Sequence, residues 1–291
     1  MKKPKGIAGY FRSGLPYNRW GNGARILVVF QGLVFENKPL AGLMLPLFAD
    51  MYTFLFLDPD YTTYIVTRKP GLPVGYSMKD MSDDYARMIR DEFGDPVDVI
   101  GVSTGGSIVQ HFAADYPELV RKLIIHSSAY TLSDFSKHLQ MRVGDLARQR
   151  KWREAYATLV SPVFSQRGVG KNLARPLVWL ASLMGGSLFG APKDPSDLVV
   201  TIEAEDKHDF KDHLAQIKAP TLVVAGDKDP FYTEALFRKT AEGIPNARLI
   251  LYKGMGHPAA GKQFEQDVQL FLKEGVVEGK MPKEFNKSAQ A

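Results

Sequence analysis

The chain has 291 residues, 45% of them hydrophobic and 24% charged, with a net charge of +5 at pH 7 and no cysteine. This length and composition are typical of a globular protein with one large α/β domain or two small domains. The missing cysteines exclude disulfides, thiol nucleophiles and cysteine-based zinc sites.

Part of the positive charge lies near the two ends of the chain. The terminal lysines are Lys2, Lys3, Lys5, Lys280, Lys283 and Lys287. Scattered terminal lysines are typical of solvated tails, so we predict no nucleic-acid partner. The start, MKKPKGIAGYFRSG, lacks the apolar run of a signal peptide, and charge, proline or glycine interrupts the long apolar stretches. We expect a cytoplasmic protein without a membrane span, and its oligomeric state, a homo-oligomer included, stays open.

The first half of the chain alternates apolar runs with helical patterns. Residues 1–24 are predicted to be a lead-in segment with a short strand at residues 17–20. Predicted buried strands lie at residues 26–30, 52–57, 97–101 and 120–126. Predicted helices lie at residues 39–49, directly after Ser77, and behind residue 103. Residues 61–76 have no period and contain two prolines and two glycines, so we predict a long surface loop there.

The second half opens with a segment of different character. Residues 129–213 are helix-like and richer in charge, without a clear strand. Strand and helix patterns then return. The strands are predicted at residues 220–225 and 248–252, and the helices at 233–242 and 263–273. This order predicts an α/β fold, a mostly parallel central sheet with helices on both faces. We expect a core domain of residues 1–128 and 214–291, and a helical cap, or lid, at residues 129–213.

The sequence GVSTGG follows the predicted strand at residues 97–101 and precedes a helical pattern. A serine between two glycines on a strand–turn–helix unit is what a nucleophile elbow requires, because the turn must lift the hydroxyl clear of the sheet. Ser103 is therefore the candidate nucleophile. The helix behind it directs backbone NH groups toward the reacting carbonyl, so the NH of Thr104 is a candidate oxyanion donor.

A serine nucleophile needs a base, and His257 is the best of the six histidines. It follows Gly254-Met255-Gly256 just beyond a predicted strand, and reactive groups in open α/β sheets collect at the carboxyl ends of strands. The orienting acid is expected on a similar loop, where GDKDP offers two aspartates. We prefer Asp229 to Asp227, and the chain order serine, acid, histidine agrees with this choice.

The other histidines have simpler interpretations. His111 and His126 are predicted to be packing or capping residues, and His138 belongs to the insertion. The remaining two, His208 and His213, lie in a run of titratable residues. The members of this run are Glu203, Glu205, Asp206, His208, Asp209, Asp212 and His213. We interpret this run as a solvated polar helix and expect no metal site, because no third ligand is spaced to close one.

Together these motifs resemble the α/β-hydrolase superfamily over nearly the whole chain. The resemblance lies in GVSTGG at the elbow, PTLVVAGDKDP at the acid strand and KGMGH at the histidine. It implies that Ser103 is the nucleophile, that His257 is the general base and then acid, and that Asp229, third after Gly226, orients it. It also implies that the insertion is the family's cap between the sixth and seventh core strands.

The sequence departs from the family pattern after the first core strand. Many members have His-Gly there, whereas this chain has Gln31-Gly32. The donor in this loop is a backbone NH, which the resemblance places at Leu33, opposite the NH of Thr104. Gly32 is a candidate substrate-binding residue, as are Trp179 and Met184 of the cap. Cap-to-core packing is an equal interpretation of the apolar cap residues, which are Leu177, Val178, Trp179, Leu180 and Met184.

The leading hypothesis is a serine hydrolase, a carboxylesterase that cleaves a small-molecule ester through an acyl-enzyme with a Ser-His-Asp triad. Such chemistry requires no metal or organic cofactor. Two alternatives stay open: the same triad acting on an amide, a lactone or a carbon-carbon bond or in perhydrolysis, and a receptor that uses the pocket only to bind. The sequence does not define the acyl chain, the alcohol or the natural substrate.

Overall fold

An eight-stranded sheet forms the centre of the computed structural model, which describes residues 6–41, 52, 54–56, 58–165 and 191–274. Its strands are β1 (Ile7–Tyr10), β2 (Pro16–Gly21), β3 (Arg25–Phe30), β4 (Tyr61–Val66), β5 (Val97–Val102), β6 (Val120–His126), β7 (Thr221–Gly226) and β8 (Ala247–Tyr252). Their spatial order is β1-β2-β4-β3-β5-β6-β7-β8. The β1/β2 and β2/β4 pairs are antiparallel and the others parallel, which confirms the predicted fold class.

Helices connect the parallel strands. The α-helices whose bounds lie within the described residues are α1 (Met78–Glu92), α2 (Thr104–Asp115), α3 (Asp134–Arg148), α4 (Trp152–Ser165), α5 (Ser196–Asp206), α6 (Glu234–Gly243) and α7 (Lys262–Glu274). Ser77 and Asp80 form the predicted capping box at the start of α1. Within the described ranges, none of the helices combines the length and apolar character that crossing a membrane needs.

Successive side chains of the parallel strands face opposite sides of the sheet. In β3, Val28 and Phe30 pack into a core with α1 and α2, whereas Leu27 and Val29 pack into a second core with α7. Both faces of these strands are buried, which explains why they read as continuous apolar runs. The parallel arrangement brings the loops after β3, β5, β6, β7 and β8 to the same edge.

The structure corrects the prediction for residues 52–66. Tyr52 and residues 54–56 are helical instead of forming a strand, and β4 occupies the first part of the predicted loop at residues 61–76. A short apolar run does not distinguish a buried strand from a buried helix. The true strand, YTTYIV, is marked by β-branched and aromatic residues instead of a purely apolar run.

Two further predictions for the first half have different outcomes. The lead-in segment contains β1, which the sequence did not reveal, as well as the expected strand at β2. The predicted helix at residues 39–49 lies mostly outside the described residues, and residues 39–41 are not helical.

Helices α3, α4 and α5 lie between β6 and β7, within residues 129–213. They share a small apolar core that includes Val143, Trp152 and Ile202 together with Phe35 from the loop after β3. Phe35 stacks on Tyr156 of α4 with ring centroids 3.7 Å apart. The inserted helices thus pack against the loop that carries Leu33.

Candidate active site

Ser103 lies between the last residue of β5 and the first residue of α2. Its backbone has φ 51° and ψ −122°, a left-handed conformation that costs a non-glycine residue about 1–3 kcal/mol. Two hydrogen bonds stabilise this turn. The NH of Ser103 donates to the carbonyl oxygen of His126 over 3.0 Å, and the NH of Gly106 donates to that of Ser103 over 2.7 Å.

The glycines around Ser103 allow β5 and α2 to pass closely. A Cβ on Gly101 would lie 2.7 Å from the carbonyl oxygen of Gly105, and a Cβ on Gly105 would overlap the carbonyl oxygen of Phe30. Both contacts involve backbone atoms that cannot rotate away. The GxSxG spelling is therefore required by the crossing of chain segments at this point.

Ser103, His257 and Asp229 form one hydrogen-bonded chain. The Oγ of Ser103 lies 3.1 Å from Nε2 of His257, and Nδ1 of His257 lies 2.7 Å from Oδ2 of Asp229. With the proton on Nδ1, the imidazole donates to the carboxylate and its Nε2 accepts from the serine hydroxyl. The side chain of His257 is 10% exposed and that of Asp229 is fully buried, so the serine end of the chain is the accessible one.

The two aspartates after β7 have different partners. Oδ1 of Asp229 accepts hydrogen bonds from the backbone NH groups of Phe231 and Tyr232, at 2.8 and 3.2 Å, which fixes the carboxylate toward His257. Asp227 instead accepts from the NH of Gly254 over 2.6 Å. Asp227 thus braces the loop after β8, while Asp229 contacts the histidine.

His126 holds the loop that follows His257. Its Nε2 donates to the carbonyl oxygen of Ala259 over 2.6 Å, and its Nδ1 accepts from the hydroxyl of Tyr52 over 2.8 Å. The NH of Ala259 donates to Oγ of Ser127 over 3.0 Å. Burial lowers the pKa of His126 to about 4, so the ring is neutral at pH 7 and can keep both hydrogen bonds. The predicted packing histidine therefore also anchors the loop.

The segments that carry the two predicted oxyanion donors both lie next to Ser103. Thr104 is the first residue of α2, where a backbone NH has no carbonyl partner within its own helix. On the other side, a Cβ on Gly32 would lie 3.4 Å from Cβ of Ser103, which places the loop of Gly32 and Leu33 against the serine. Gln31 is fully buried, and among the described residues its amide group has no hydrogen-bond partner.

Arg68 supports the loop that carries Leu33, and the sequence did not reveal it. Its guanidinium is buried with the residue 1% exposed, and it donates to the carbonyl oxygens of Gln31 and Gly32 over 2.9 and 3.0 Å. Burial lowers the pKa of Arg68. Arg68 lies two residues beyond the end of β4, at the carboxyl edge of the sheet, and a charged residue at that position is a signal for a functional site. The sequence analysis misses it because it predicts a loop where β4 lies.

Glu205 of α5 contacts the other side of the elbow. Its fully buried carboxylate accepts from Oγ1 of Thr104 over 2.7 Å, from Oγ of Ser107 over 3.0 Å and from Nε2 of Gln140 over 3.1 Å. Burial raises its pKa, which these hydrogen bonds and the charge of Arg68 oppose. Glu205 lies three and four residues after the buried Ile202 and Thr201, on the same face of α5. This helical spacing is the signal by which a sequence analysis could have predicted its burial.

This arrangement corrects in part the interpretation of residues 203–213 as a solvated polar helix. Glu205 is buried because α5 turns one face toward the core, and His208, two residues beyond α5, is buried as well, whereas Asp209, Asp212 and His213 are exposed. Burial lowers the pKa of His208 to about 3. In the described ranges, no three histidine, aspartate or glutamate side chains gather where they could hold a metal ion. Trp179 and Met184, with the rest of the apolar cap cluster, lie outside the described residues.

Comparison with known proteins identifies the class. Residues 62–261 match the family described as alpha/beta hydrolase fold, and the chain belongs to that family. A solved structure of similar fold, the alpha/beta hydrolase enzyme MGS-M2 from a Medee basin deep-sea metagenome library, has a TM-score of 0.70 and 14% sequence identity. That match covers 92% of this chain and 98% of the other.

Two curated relatives are similar in sequence. A pimeloyl-[acyl-carrier protein] methyl ester esterase from Nitrosomonas europaea is 25% identical over 195 residues, covering 66% of this chain and 76% of the relative. A bifunctional esterase/perhydrolase DCH from Acinetobacter calcoaceticus is 27% identical over 198 residues, covering 63% and 68%. Family and relatives together support a hydrolase.

Proposed function

We propose that the protein is a serine hydrolase that cleaves a carboxylic ester of a small molecule through an acyl-enzyme. The observation that carries the proposal is the hydrogen-bonded chain from Ser103 through His257 to Asp229. A neutral serine hydroxyl is a poor nucleophile until an adjacent base removes its proton. Here the base lies within reach of the hydroxyl, and a buried carboxylate orients it.

In the acylation step, Oγ of Ser103 attacks the acyl carbon while Nε2 of His257 takes the hydroxyl proton. The carbonyl electron pair moves onto oxygen, and the NH groups of Leu33 and Thr104 stabilise the oxyanion. The carbon–oxygen bond to the alcohol then breaks as His257 returns its proton to the leaving oxygen. Asp229 remains ionised and stabilises the imidazolium formed in between.

In the deacylation step, His257 takes a proton from water, and the resulting hydroxide attacks the acyl carbon of the ester on Ser103. A second oxyanion forms and collapses, which releases the carboxylic acid. The proton on Nε2 returns to Oγ of Ser103. Every proton is accounted for by the histidine, and the cycle requires no metal or organic cofactor.

We assign residues 129–213 to a cap over this site and the remaining chain to the core. Support comes from the apolar cluster that α3, α4 and α5 share with Phe35 of the loop after β3. The cap would contribute Trp179 and Met184 to the pocket walls, and Gly32 would leave room for the substrate next to Ser103. These three assignments follow from sequence position and the family's cap arrangement.

Perhydrolysis is the second candidate, because one relative is named an esterase/perhydrolase. The same acyl-enzyme would then react with hydrogen peroxide in place of water, giving a peroxy acid and free Ser103. Ester hydrolysis remains the first choice, since both curated relatives described above carry an esterase name. Product analysis with and without added peroxide separates the two.

The testing experiment measures burst-phase hydrolysis of p-nitrophenyl esters of graded acyl length, with a fluorophosphonate as active-site label. We expect a nitrophenol burst equal to the enzyme concentration and one phosphonyl group per chain. Ser103→Ala is expected to lose both, with kcat reduced by at least about 10⁴-fold. Ser82→Ala is the matched control, a buried serine of α1 whose hydroxyl donates to the carbonyl oxygen of Lys79 and which has no part in the site. Ester turnover that persists in Ser103→Ala would contradict the proposal.

A further inference from the structure

We propose that Arg68 and Glu205 are positioning residues that hold the two arms of the oxyanion hole, one buried charge on each side of Ser103. This inference rests on the proposed hydrolase function and deepens it. Neither side chain contacts Ser103 or His257 in the described structure. Arg68 acts on the peptide unit that joins Gly32 to Leu33, and Glu205 acts on Thr104, so each contacts a segment that carries a predicted oxyanion donor.

Arg68 fixes two consecutive peptide planes. A trans peptide unit is planar, so its carbonyl oxygen and the following NH point in opposite directions. The carbonyl oxygen of Gly32 belongs to the same unit as the NH of Leu33. Because Nη2 of Arg68 holds this oxygen over 3.0 Å, the NH of Leu33 must point away from the guanidinium. Nη1 holds the preceding unit, through the oxygen of Gln31, in the same way.

The loop requires such a clamp because of Gly32. Glycine has the widest range of backbone conformations, so a loop with glycine next to the donor does not define the direction of the donor by itself. A planar guanidinium presents its donors in a rigid fork, which suits two neighbouring carbonyl oxygens better than the single ammonium of lysine. This explains why an arginine is buried here at the cost of desolvating a charge.

Glu205 fixes the first turn of α2 from the opposite side. Thr104 and Ser107 lie three residues apart on one face of the helix, and both hydroxyls donate to the same carboxylate. This pair sets the rotation of the turn, and with it the direction of the NH of Thr104. Gln140 of α3 donates to the same carboxylate, so helices of the insertion are tied directly to the elbow.

The two charges also compensate each other. Arg68 and Glu205 each shift the pKa of the other toward the charged form, although no direct ion pair joins them. Removing either one leaves the other as a buried charge with less compensation, which is costly.

The decisive variant is Arg68→Met, which removes both hydrogen bonds and keeps an apolar side chain of similar length. With p-nitrophenyl butyrate we expect kcat to fall about 100-fold with KM within threefold, because the lost interaction acts on the transition state. The affinity for a trifluoromethyl ketone, whose serine adduct carries an oxyanion, should fall by a similar factor. A structural role alone would not make these two losses equal.

Arg25→Met is the matched control. Arg25 also donates to a backbone carbonyl, that of Leu272 over 3.0 Å, but lies at the opposite end of the sheet. We expect it to lower the urea midpoint and leave kcat unchanged. For the second arm, Thr104→Val removes the hydroxyl bonded to Glu205 and keeps the backbone NH. We expect about a tenfold loss of kcat from it, which Thr104→Ser should restore because its hydroxyl can reach Glu205.

Arg68→Lys serves if Arg68→Met does not fold, since it keeps the charge without the planar fork. A folded Arg68→Met or Arg68→Lys with wild-type kcat and ketone affinity would overturn the role of Arg68. A Thr104→Val variant with wild-type kcat would overturn that of Glu205. Failure of the proposed function is distinguishable, because then the wild type itself would show no Ser103-dependent turnover or phosphonate labelling.

Discussion

Buried carboxylates lie at both ends of the sheet, but their partners differ. At the amino-terminal ends of the strands, Asp98 binds Arg25 over 3.1 Å and Arg121 over 2.9 Å, and it accepts from the hydroxyl of Tyr61 over 2.7 Å. At the carboxyl ends, the partners of Glu205 among the described residues are hydroxyl and amide groups. Both carboxylates are fully buried, so burial alone does not explain the difference.

The amino-terminal end is arranged for stability. Asp98 has cationic partners from β3 and β6 and a hydroxyl partner from β4, so one carboxylate ties three other strands of the sheet to β5. The bond from Arg121 is bidentate, which is the strongest geometry for this pair. The charges of these residues are compensated, and none of the residues is among those with a positive φ.

The carboxyl end contains features that cost stability. Ser103 has a left-handed backbone, the amide of Gln31 is buried without a partner in the described structure, and Glu205 has no ion pair there. Such features persist only where the surrounding structure holds them, and they cluster at functional sites. The comparison indicates that the amino-terminal end of the sheet stabilises the fold. The carboxyl end contains destabilising features that accompany the arrangement of the site.

The largest effect that tests this division concerns the two aspartates after β7. We expect Asp229→Asn to lower kcat about 10⁴-fold, because an amide does not hold His257 in the tautomer that accepts the serine proton. Asp227→Asn is the matched change and should cause a far smaller loss, since Asp227 contacts a backbone NH of the loop. Steady-state kinetics on p-nitrophenyl esters checks both. A greater loss in Asp227→Asn would reverse the assignment of the acid.

A stability change without loss of activity is expected at the other end. Asp98→Asn leaves Arg25 and Arg121 without their carboxylate and should lower the free energy of unfolding by about 3 kcal/mol. The kcat measured well below the melting temperature should not change. Urea denaturation measures the first quantity. Asp95→Asn, an exposed aspartate three residues earlier, is the control and should change stability by less than about 0.5 kcal/mol. A large loss of kcat in Asp98→Asn would break the division between the two ends.

Acid should destabilise the fold through its buried histidines. Burial, with the nearby charges of His111 and Lys137, lowers the pKa of His208 to about 3, against 6.5 in an unfolded chain. Between these values the unfolded chain binds a proton that the folded chain does not. Stability is therefore full above pH 6.5 and falls as the pH decreases toward 3, by about 1.4 kcal/mol per pH unit for this histidine.

His208→Phe tests this linkage, because it keeps a ring next to Phe210 and removes the titrating group. Urea unfolding between pH 6.5 and 4.5 should show a slope of stability against pH that is smaller by about one proton than in the wild type. His138→Phe, on the exposed side of α3, should leave the slope unchanged. Equal slopes in the wild type and His208→Phe would contradict the buried, neutral state of His208.

The smallest expected effect concerns strain at the elbow. Ser103→Gly should raise the free energy of unfolding by about 1 kcal/mol, because glycine adopts a φ of 51° without strain but loses more entropy on folding. Ser103→Ala removes the same hydroxyl and keeps the strain, so it should not show this gain. Thermal unfolding compares the two. If Ser103→Ala is as stable as Ser103→Gly, backbone strain at the elbow does not cost stability.

The local sequence predicts an element correctly where the backbone conformation itself restricts which residues can stand there. The glycines of GVSTGG are required because side chains there would overlap neighbouring backbone atoms. The bounds of β6, VRKLIIH, agree with the prediction, because Val120 and the apolar residues 123–125 are typical of a buried parallel strand. The same rule failed at residues 52–66, where an apolar run is helical and a strand rich in threonine and tyrosine enters the sheet.

The sequence by itself determined the fold family and proposed Ser103, Asp229 and His257, because turn glycines and strand-end loops are local features with a fixed chain order. Only the tertiary structure brings Arg68 and Glu205 into contact with the segments next to Ser103. Glu205 contacts Thr104, 101 residues away, and Arg68 contacts a loop 36 residues earlier. Whether a charge is buried, and which groups compensate it, depends on distant segments that meet only in the folded chain.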